Sequence, residues 1–281
     1  MSAVLKQPIS GIVDGISNDD YHNSPGISKS GLDMIRKSPA SYIWQATAPT
    51  DDDKTKALDF GTAFHCLLLE PDEFTNRYVI EPAINKRTNA GKEEAAAFAE
   101  SVKDLGQTII SADDLKKLKL MRGSVFSHPT ARELMSMNGV AEHSVFWTDE
   151  ETGASCRCRP DWLVEDKKII VDLKTAADFS RIQRAFEDYR YFVQDPFYRA
   201  GLKAVTGDDY DFLFIFVSTS INCGRYPVDV IRLNDAARFD GEVHMKADLQ
   251  KYIDCQNNDD WQSITEIDRP NWATRNEEQI L

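Results

Sequence analysis

Basic residues are scarce in this 281-residue chain: 33 Lys and Arg stand against 46 Asp and Glu, a formal charge of −13. Basic surface normally provides most of the affinity for nucleic acid, so the total alone argues against such a partner, although an acidic total can hide a local basic track. Long hydrophobic runs are missing, which excludes a helix able to cross a bilayer. The opening MSAVLKQPISG lacks the apolar segment of a secretory signal, and a cytoplasmic location is expected. Cysteine is sparse and odd in number: Cys66, Cys156, Cys158, Cys223 and Cys255 form no C-x-x-C pair, which excludes a zinc ribbon and an iron–sulfur cluster. They read as reduced and mostly buried. No internal repeat or low-complexity linker interrupts the chain.

What is present is ordinary for a globular protein, with 42% hydrophobic and 28% charged residues. The chain reads as one domain over 1–281, with a mainly helical part (1–75), a sheet-containing core (76–255) and a polar tail (256–281). Ser28 opens a helix at SKSGLDMIRKS, and Ser38-Pro39 opens another. KALDFGTAFHCLLLE (56–70) is a third, ended by Pro71. A strand at 77–80, a polar loop at 81–94, a helix near 92–103 and a longer one capped by Ser111 follow. Strand-like alternation then takes over at 139–149, 155–164 and 167–175. A helical pair over 178–205, strands at 211–219 and 225–233, and a long helix over 234–252 complete an α/β pattern with a mixed sheet.

One stretch departs from ordinary core patterning: CRCRPDWLVEDKKIIVDLKTAAD, residues 156–178. Two apolar runs, Trp162–Val164 and Ile169–Val171, flank the tetrapeptide Glu165–Lys168 and carry Asp161 and Asp172 at their outer ends. If the tetrapeptide is the turn, Asp161 faces Asp172. Directly paired residues have β-carbons about 4.5–5.5 Å apart, where like charges repel. Lys174, two residues on, shares the face of Asp172. A divalent cation between the acids removes the repulsion, and hard oxygen ligands suit Mg²⁺ or Mn²⁺. With a lysine beside the metal, the group describes metal-assisted phosphodiester hydrolysis. The bland alternative is a hairpin with two solvated acids and an exposed lysine. Cys156 and Cys158 point the other way, as small core residues.

Pro160-Asp161, ten residues, then Asp172-Leu173-Lys174 resembles the PD-(D/E)XK nuclease signature. Gly61-Thr62-Ala63-Phe64-His65 is similar to the GxxxH helix of the RecB-like and exonuclease branches, and Gln194 to Tyr198 resembles their QxxxY motif. GISNDDYHNSPGISKSGLDMI, NKRTNAGKEE and CGRYPV further resemble the RecE family, exonuclease VIII of prophage recombination systems, over about Gly11 to Trp272. The resemblance implies a restriction-endonuclease-like core, with a central mixed sheet flanked by helices. It also implies an ATP-independent, Mg²⁺-dependent 5′→3′ exonuclease on linear duplex DNA, in a bacterial or prophage-encoded setting. It implies a RecT-like annealing partner for the 3′ overhangs, and a homo-oligomeric ring with a tetramer favoured.

The same resemblance decides several residues that spacing leaves open. A lone histidine on an apolar helix is usually a satisfied core residue, but GxxxH makes His65 a metal ligand beside Asp161, Asp172 and the main-chain carbonyl of Leu173. Gln194 and Tyr198 share a helix face as any amphipathic pair would; QxxxY makes them supports of the lysine, water or phosphate. Pro196 between them places the helix start near Asp195. Arg157 and Arg159 share the parity of Asp161, and either lead DNA toward the site or compensate nearby acids. Lys86, Arg87 and Lys92 lie on a loop that is either solvated or, by the resemblance, in contact with DNA. Lys29, with its neighbouring serines and Arg36-Lys37, is a candidate for a 5′-phosphate pocket. Gly91-Lys92 lacks the Ser/Thr and the upstream glycine of a phosphate loop, so ATP use is not expected. The rivals are a single-strand or structure-specific endonuclease of the same superfamily and a non-catalytic DNA-end scaffold. Intact Asp161, Asp172 and Lys174 argue against the scaffold.

Overall fold

The computed structural model describes residues 10–49, 60–262, 264 and 266–269, so the stretch 56–59 of the third expected helix and Trp272 lie outside the described residues. The chain opens with β1 (Gly11–Val13) and a short α1 (Asn18–Asn23), neither evident in the sequence pattern. Ser28 caps α2 (Lys29–Lys37) by accepting from the Gly31 N–H, and Pro39 occupies the first turn of α3 (Pro39–Thr47). α4 (Phe60–Leu69) carries His65. Pro71 does more than end α4: it opens α5 (Pro71–Arg77), because a first-turn position needs no N–H.

A parallel two-stranded sheet joins β2 (Tyr78–Ile80) to β3 (Thr108–Ile110), across α6 (Asn89–Val102). Then come α7 (Ala112–Ser127), capped by Ser111 as expected, and α8 (Pro129–Ser136). The region read as two uninterrupted strands is a hairpin that forks. β4 (Val140–Ala141) and β5 (Ser144–Thr148) form one arm; β6 (Ser155–Cys158) and β7 (Trp162–Val164) form the other. β5 and β6 pair in a three-stranded sheet with β1. β4 and β7 pair in a five-stranded sheet, order β10-β9-β8-β7-β4, with β8 (Ile169–Ala176), β9 (Asp211–Ser218) and β10 (Val228–Ile231). Both arms change sheets at Glu142 and Asp161.

β8 and β9 run parallel in the middle of the mixed sheet, and both faces are buried, as parallel pairs require. Phe212, Phe214 and Phe216 pack on one side, with Val193, Phe197 and Leu249; Ile215 and Val217 pack on the other, with Val171, Leu173, Phe64 and Leu118. α9 (Ile182–Asp188), α10 (Tyr191–Thr206) and α11 (Asp235–Asn258) cover the first side, and α11 runs six residues past the end read from sequence. Among the described residues no helix is long and apolar enough to cross a membrane.

α10 corrects one expectation. Pro196 lies inside the helix, which starts at Tyr191 rather than near Asp195. Proline at this position leaves the carbonyl four residues back, that of Phe192, without its helical donor. α11 approaches α10 at that carbonyl, through Gly241: a Cβ there would fall 1.8 Å from the Phe192 oxygen. The close packing tolerates the interior proline and fixes the helix that carries Gln194. Gly241→Ala is expected to lower stability by about 1–3 kcal/mol in urea unfolding. Gly123→Ala, facing open space in α7, should be neutral or stabilise by up to about 1 kcal/mol. Equal stabilities for the two variants would show that α10 and α11 do not need this contact.

Candidate active site

The β7–β8 ladder pairs Trp162 with Val171, Leu163 with Ile170 and Val164 with Ile169 around a turn at Glu165–Lys168. That is the register expected from the sequence. One step beyond the last rung, the Asp161 carboxylate takes the place of a backbone acceptor: the Leu173 N–H donates to its Oδ2 at 2.6 Å. The Asp161 carbonyl in turn accepts from the Glu142 N–H at 3.2 Å. Asp161 is thereby fixed to β8 and to the other arm of the fork. Leu173 contributes this N–H, while its side chain fills the core.

Asp172, only 2% exposed, accepts from Gln194 Nε2 at 2.5 Å and pairs with Lys174 Nζ at 2.6 Å. From the opposite side, His65 Nδ1 of α4 lies 3.5 Å from Asp161 Oδ2. Ligand atoms of His65, Asp161 and Glu142 all fall within 4.8 Å of one another. Glu142 is the functional residue that sequence reasoning missed. Its only signal was an acid in the apolar alternation GVAEHSVF, and its left-handed backbone (φ 55°) marks where the arm changes sheets.

Burial and crowded charge shift every titratable group of this cluster. Burial foremost, and then Asp161, push Glu142 up to about 7. Burial and Asp161 likewise push Asp172 up to about 6, with Lys174 offsetting part of the rise. Burial also raises Asp161, but His65, Lys174 and the Leu173 N–H outweigh it and hold the carboxyl below its ordinary value. Burial works against a charged Lys174, yet Asp172 and Asp161 outweigh it and raise the ammonium above its usual range. The two carboxylates of Glu142 and Asp161 and the imidazole of His65 form a donor set that fits a hard divalent cation such as Mg²⁺ or Mn²⁺, and Asp172, held by Gln194 and Lys174, stands next to it.

Two adjoining hollows, of about 720 and 680 Å³, open on this cluster and share Asn18, His22, Glu142 and Arg159. The first exposes Gly61 and His65; the second exposes Lys174, Gln194, Tyr198, Lys29, Arg36 and Lys37. Burial, reinforced by Tyr21 and Asp172, holds the Tyr198 phenol well above its usual range, so it stays a neutral donor. Arg159 borders both hollows, its Nη2 donating to Ser144 Oγ at 2.6 Å and its guanidinium 4.1 Å from the Tyr21 ring centroid. Arg157 packs at 5.3 Å from the same ring, donates to the His22 carbonyl and lines neither hollow. Lys86, Arg87 and Lys92 also line neither; Lys86 pairs with Glu81 at 2.7 Å, and Lys92 stands exposed in the first turn of α6. The second hollow thus concentrates basic side chains that the overall charge conceals.

A pH dependence follows. Glu142 and Asp172 titrate above ordinary carboxylates, so between about pH 4 and 7 the folded chain binds more protons than the unfolded one, and stability falls as pH rises. His65, raised because Asp161 outweighs burial, adds stability that is likewise lost as pH rises through its folded value. Asp161 has the opposite sign, but only below the ordinary carboxylate range. Mg²⁺ bound at this cluster should therefore raise the thermal midpoint more at pH 8 than at pH 5.5. An equal or larger rise at pH 5.5 would remove these residues as the cation site.

Comparison with known proteins gives the same fold. The family described as "PDDEXK-like domain of unknown function (DUF3799)" matches residues 28–267. A search of curated proteins finds no match. Among solved structures, a candidate exonuclease from Eubacterium rectale superposes with a TM-score of 0.55 at 13% identity, over 92% of this chain and 97% of that one. A phage-related exonuclease from Haemophilus somnus 129PT aligns over 84% of this chain and 96% of its own, at 12% identity and a TM-score of 0.35. The first likeness establishes a shared fold; the second is too distant to carry an argument. The expected PD-(D/E)XK core is the observed one, and this chain belongs to the family of PDDEXK-like domains of unknown function, DUF3799.

Proposed function

We propose that the chain is a Mg²⁺-dependent, ATP-independent exonuclease that digests linear duplex DNA 5′→3′. Mn²⁺ would substitute for Mg²⁺. The 3′ overhangs would load a RecT-like annealing protein. The observation that carries the reading is the union of Asp161, Asp172 and Lys174, with Lys174 lining a basic hollow. Polarity, the annealing partner, the cytoplasmic setting in a bacterium or prophage, and a tetrameric ring rest on the RecE resemblance alone. A ring would reconcile a charge of −13 with DNA binding by turning the basic hollows toward a central passage.

The residues divide the chemistry. His65, Glu142, Asp161, Asp172 and the Leu173 carbonyl would hold the divalent cation. Bound there, it supplies Lewis-acid polarisation of the phosphate and acidifies water. Lys174 remains protonated and presents a charged donor on the side of Asp172, where it orients the attacking water and stabilises charge developing on the phosphate oxygens. Gln194 fixes the Asp172 carboxylate, and the Leu173 N–H fixes that of Asp161, so neither acid needs to reorient during the reaction. Lys29, Arg36 and Lys37 border the second hollow, where the terminal phosphate of the digested strand would lie.

The expected outcome is Mg²⁺-dependent release of nucleotides from linear duplex DNA, abolished by chelation, with closed circles left intact and label lost from 5′ ends first. Asp172→Ala should lower the rate by roughly a thousandfold or more. Gln194→Ala, which frees the carboxylate without removing it, should cost about 10–100-fold. Rapid cutting of closed circles would replace the exonuclease by an endonuclease. Equal rates for wild type and Asp172→Ala would remove this cluster from the chemistry.

A further inference from the structure

An aromatic column rises from the core to the edge of the second hollow. Phe186, Phe214 and Phe216 hold the Tyr191 ring at centroid distances of 5.5, 5.8 and 5.9 Å. Tyr189 stacks on Tyr191, with centroids 5.6 Å and planes 26° apart, and is 62% exposed. Lys174 Nζ lies 5.0 Å and Lys29 Nζ 5.7 Å from the Tyr191 centroid. The column therefore ends in a solvent-facing ring one layer above the ring that Lys174 and Lys29 approach. Tyr189 also borders a neighbouring groove with Thr175, Arg181 and Arg184, so the ring stands on the rim between two depressions.

The backbone that holds it there is over-determined. Arg190, between the two tyrosines, sits in the left-handed region at φ 51° and ψ 43°. A non-glycine residue there costs on the order of 1–2 kcal/mol and persists only where its surroundings impose it. Arg190 pairs with Asp33 of α2 at 2.9 Å and with the buried Asp248 of α11. Lys29 donates to the Tyr189 carbonyl. These contacts, which also tie α2 to α11, fix the backbone at Tyr189, and stacking favours a face fixed in advance.

We propose that Tyr189, backed by Tyr191, is a stacking platform for one unpaired terminal base of the substrate. The strand would then reach Lys174 with that base lifted off its neighbour, and Lys29 and Lys174 would take the flanking phosphates. The platform reads no sequence, because every base presents a π-face. The inference rests on the nucleic-acid reading above.

The test measures binding of short linear duplexes with Ca²⁺ in place of Mg²⁺, using intact ends and ends whose terminal nucleotides are abasic. Tyr189→Ala should bind intact ends about tenfold more weakly, a loss of about 1.4 kcal/mol, and Tyr189→Phe should match wild type. On abasic ends, Tyr189→Ala and wild type should bind alike. Equal binding of intact ends by wild type and Tyr189→Ala overturns the platform, as does an equal loss on both kinds of end. Either result leaves the nuclease reading standing if wild type still releases nucleotides with Mg²⁺. A wild type that binds neither duplex overturns both.

Discussion

The hydrogen bond from the Leu173 N–H to Asp161 holds the rest of the site in place. A strand pair normally continues or stops; here it continues for one more step with a side chain as the acceptor. The arms of the hairpin can then part toward two different sheets while their separation stays fixed at one point. Water cannot easily serve the polar groups exposed by such a parting, so they must serve one another. Asp161 answers the backbone of both β8 and the Glu142 corner, and its second carboxylate oxygen is left for chemistry.

The cost of gathering acids at that point is met from the helical side. α4 brings His65 against Asp161, and α10 brings Gln194 against Asp172. α10 is itself held by buried charge: Asp195 pairs with Arg238 of α11 at 3.3 Å and lies near Arg199. Arg190, just before the helix, joins α2 to α11 through Asp33 and Asp248. Buried pairs of this kind add little net stability, but removing one partner strands the other, so they fix which helix lies where. Together with the Phe192–Gly241 approach they make the position of Gln194 a property of three helices.

The legible part of this protein was its local periodicity. Strand alternation and a four-residue turn placed Asp161 opposite Asp172 with Lys174 on the same face, and serine and proline signals placed the caps of α2, α3 and α7. The PD-(D/E)XK core, His65 and the Gln194–Tyr198 pair followed from spacing plus resemblance. What escaped was tertiary. Glu142 joins the cluster only because its strand turns aside there. The start of α10 was misplaced because a proline rule assumes an unsupported helix, whereas α11 packs on the carbonyl that Pro196 leaves free. Nothing in the spacing singles out Tyr189, whose stacking on Tyr191 exists only in the folded chain. Parity put Arg157 and Arg159 on one face, and both do meet Tyr21, but only Arg159 reaches the hollows.

The forked hairpin makes the two turns nearest it unequal in what they can tolerate. The three rungs between β7 and β8 are set by the turn, so inserting or deleting one residue between Val164 and Ile169 slips that register and Asp161 no longer stands opposite Asp172. The turn at Asp149–Gly153 closes the other end of the same region, beyond the Thr148–Ser155 rung, and the four rungs of β5 and β6 stand between it and the site. Among relatives of this chain, length variation should accumulate at the second turn and be purged from the first, although both are short, polar and exposed. Surface loops are commonly taken to be interchangeable; here one of them acts as a ruler.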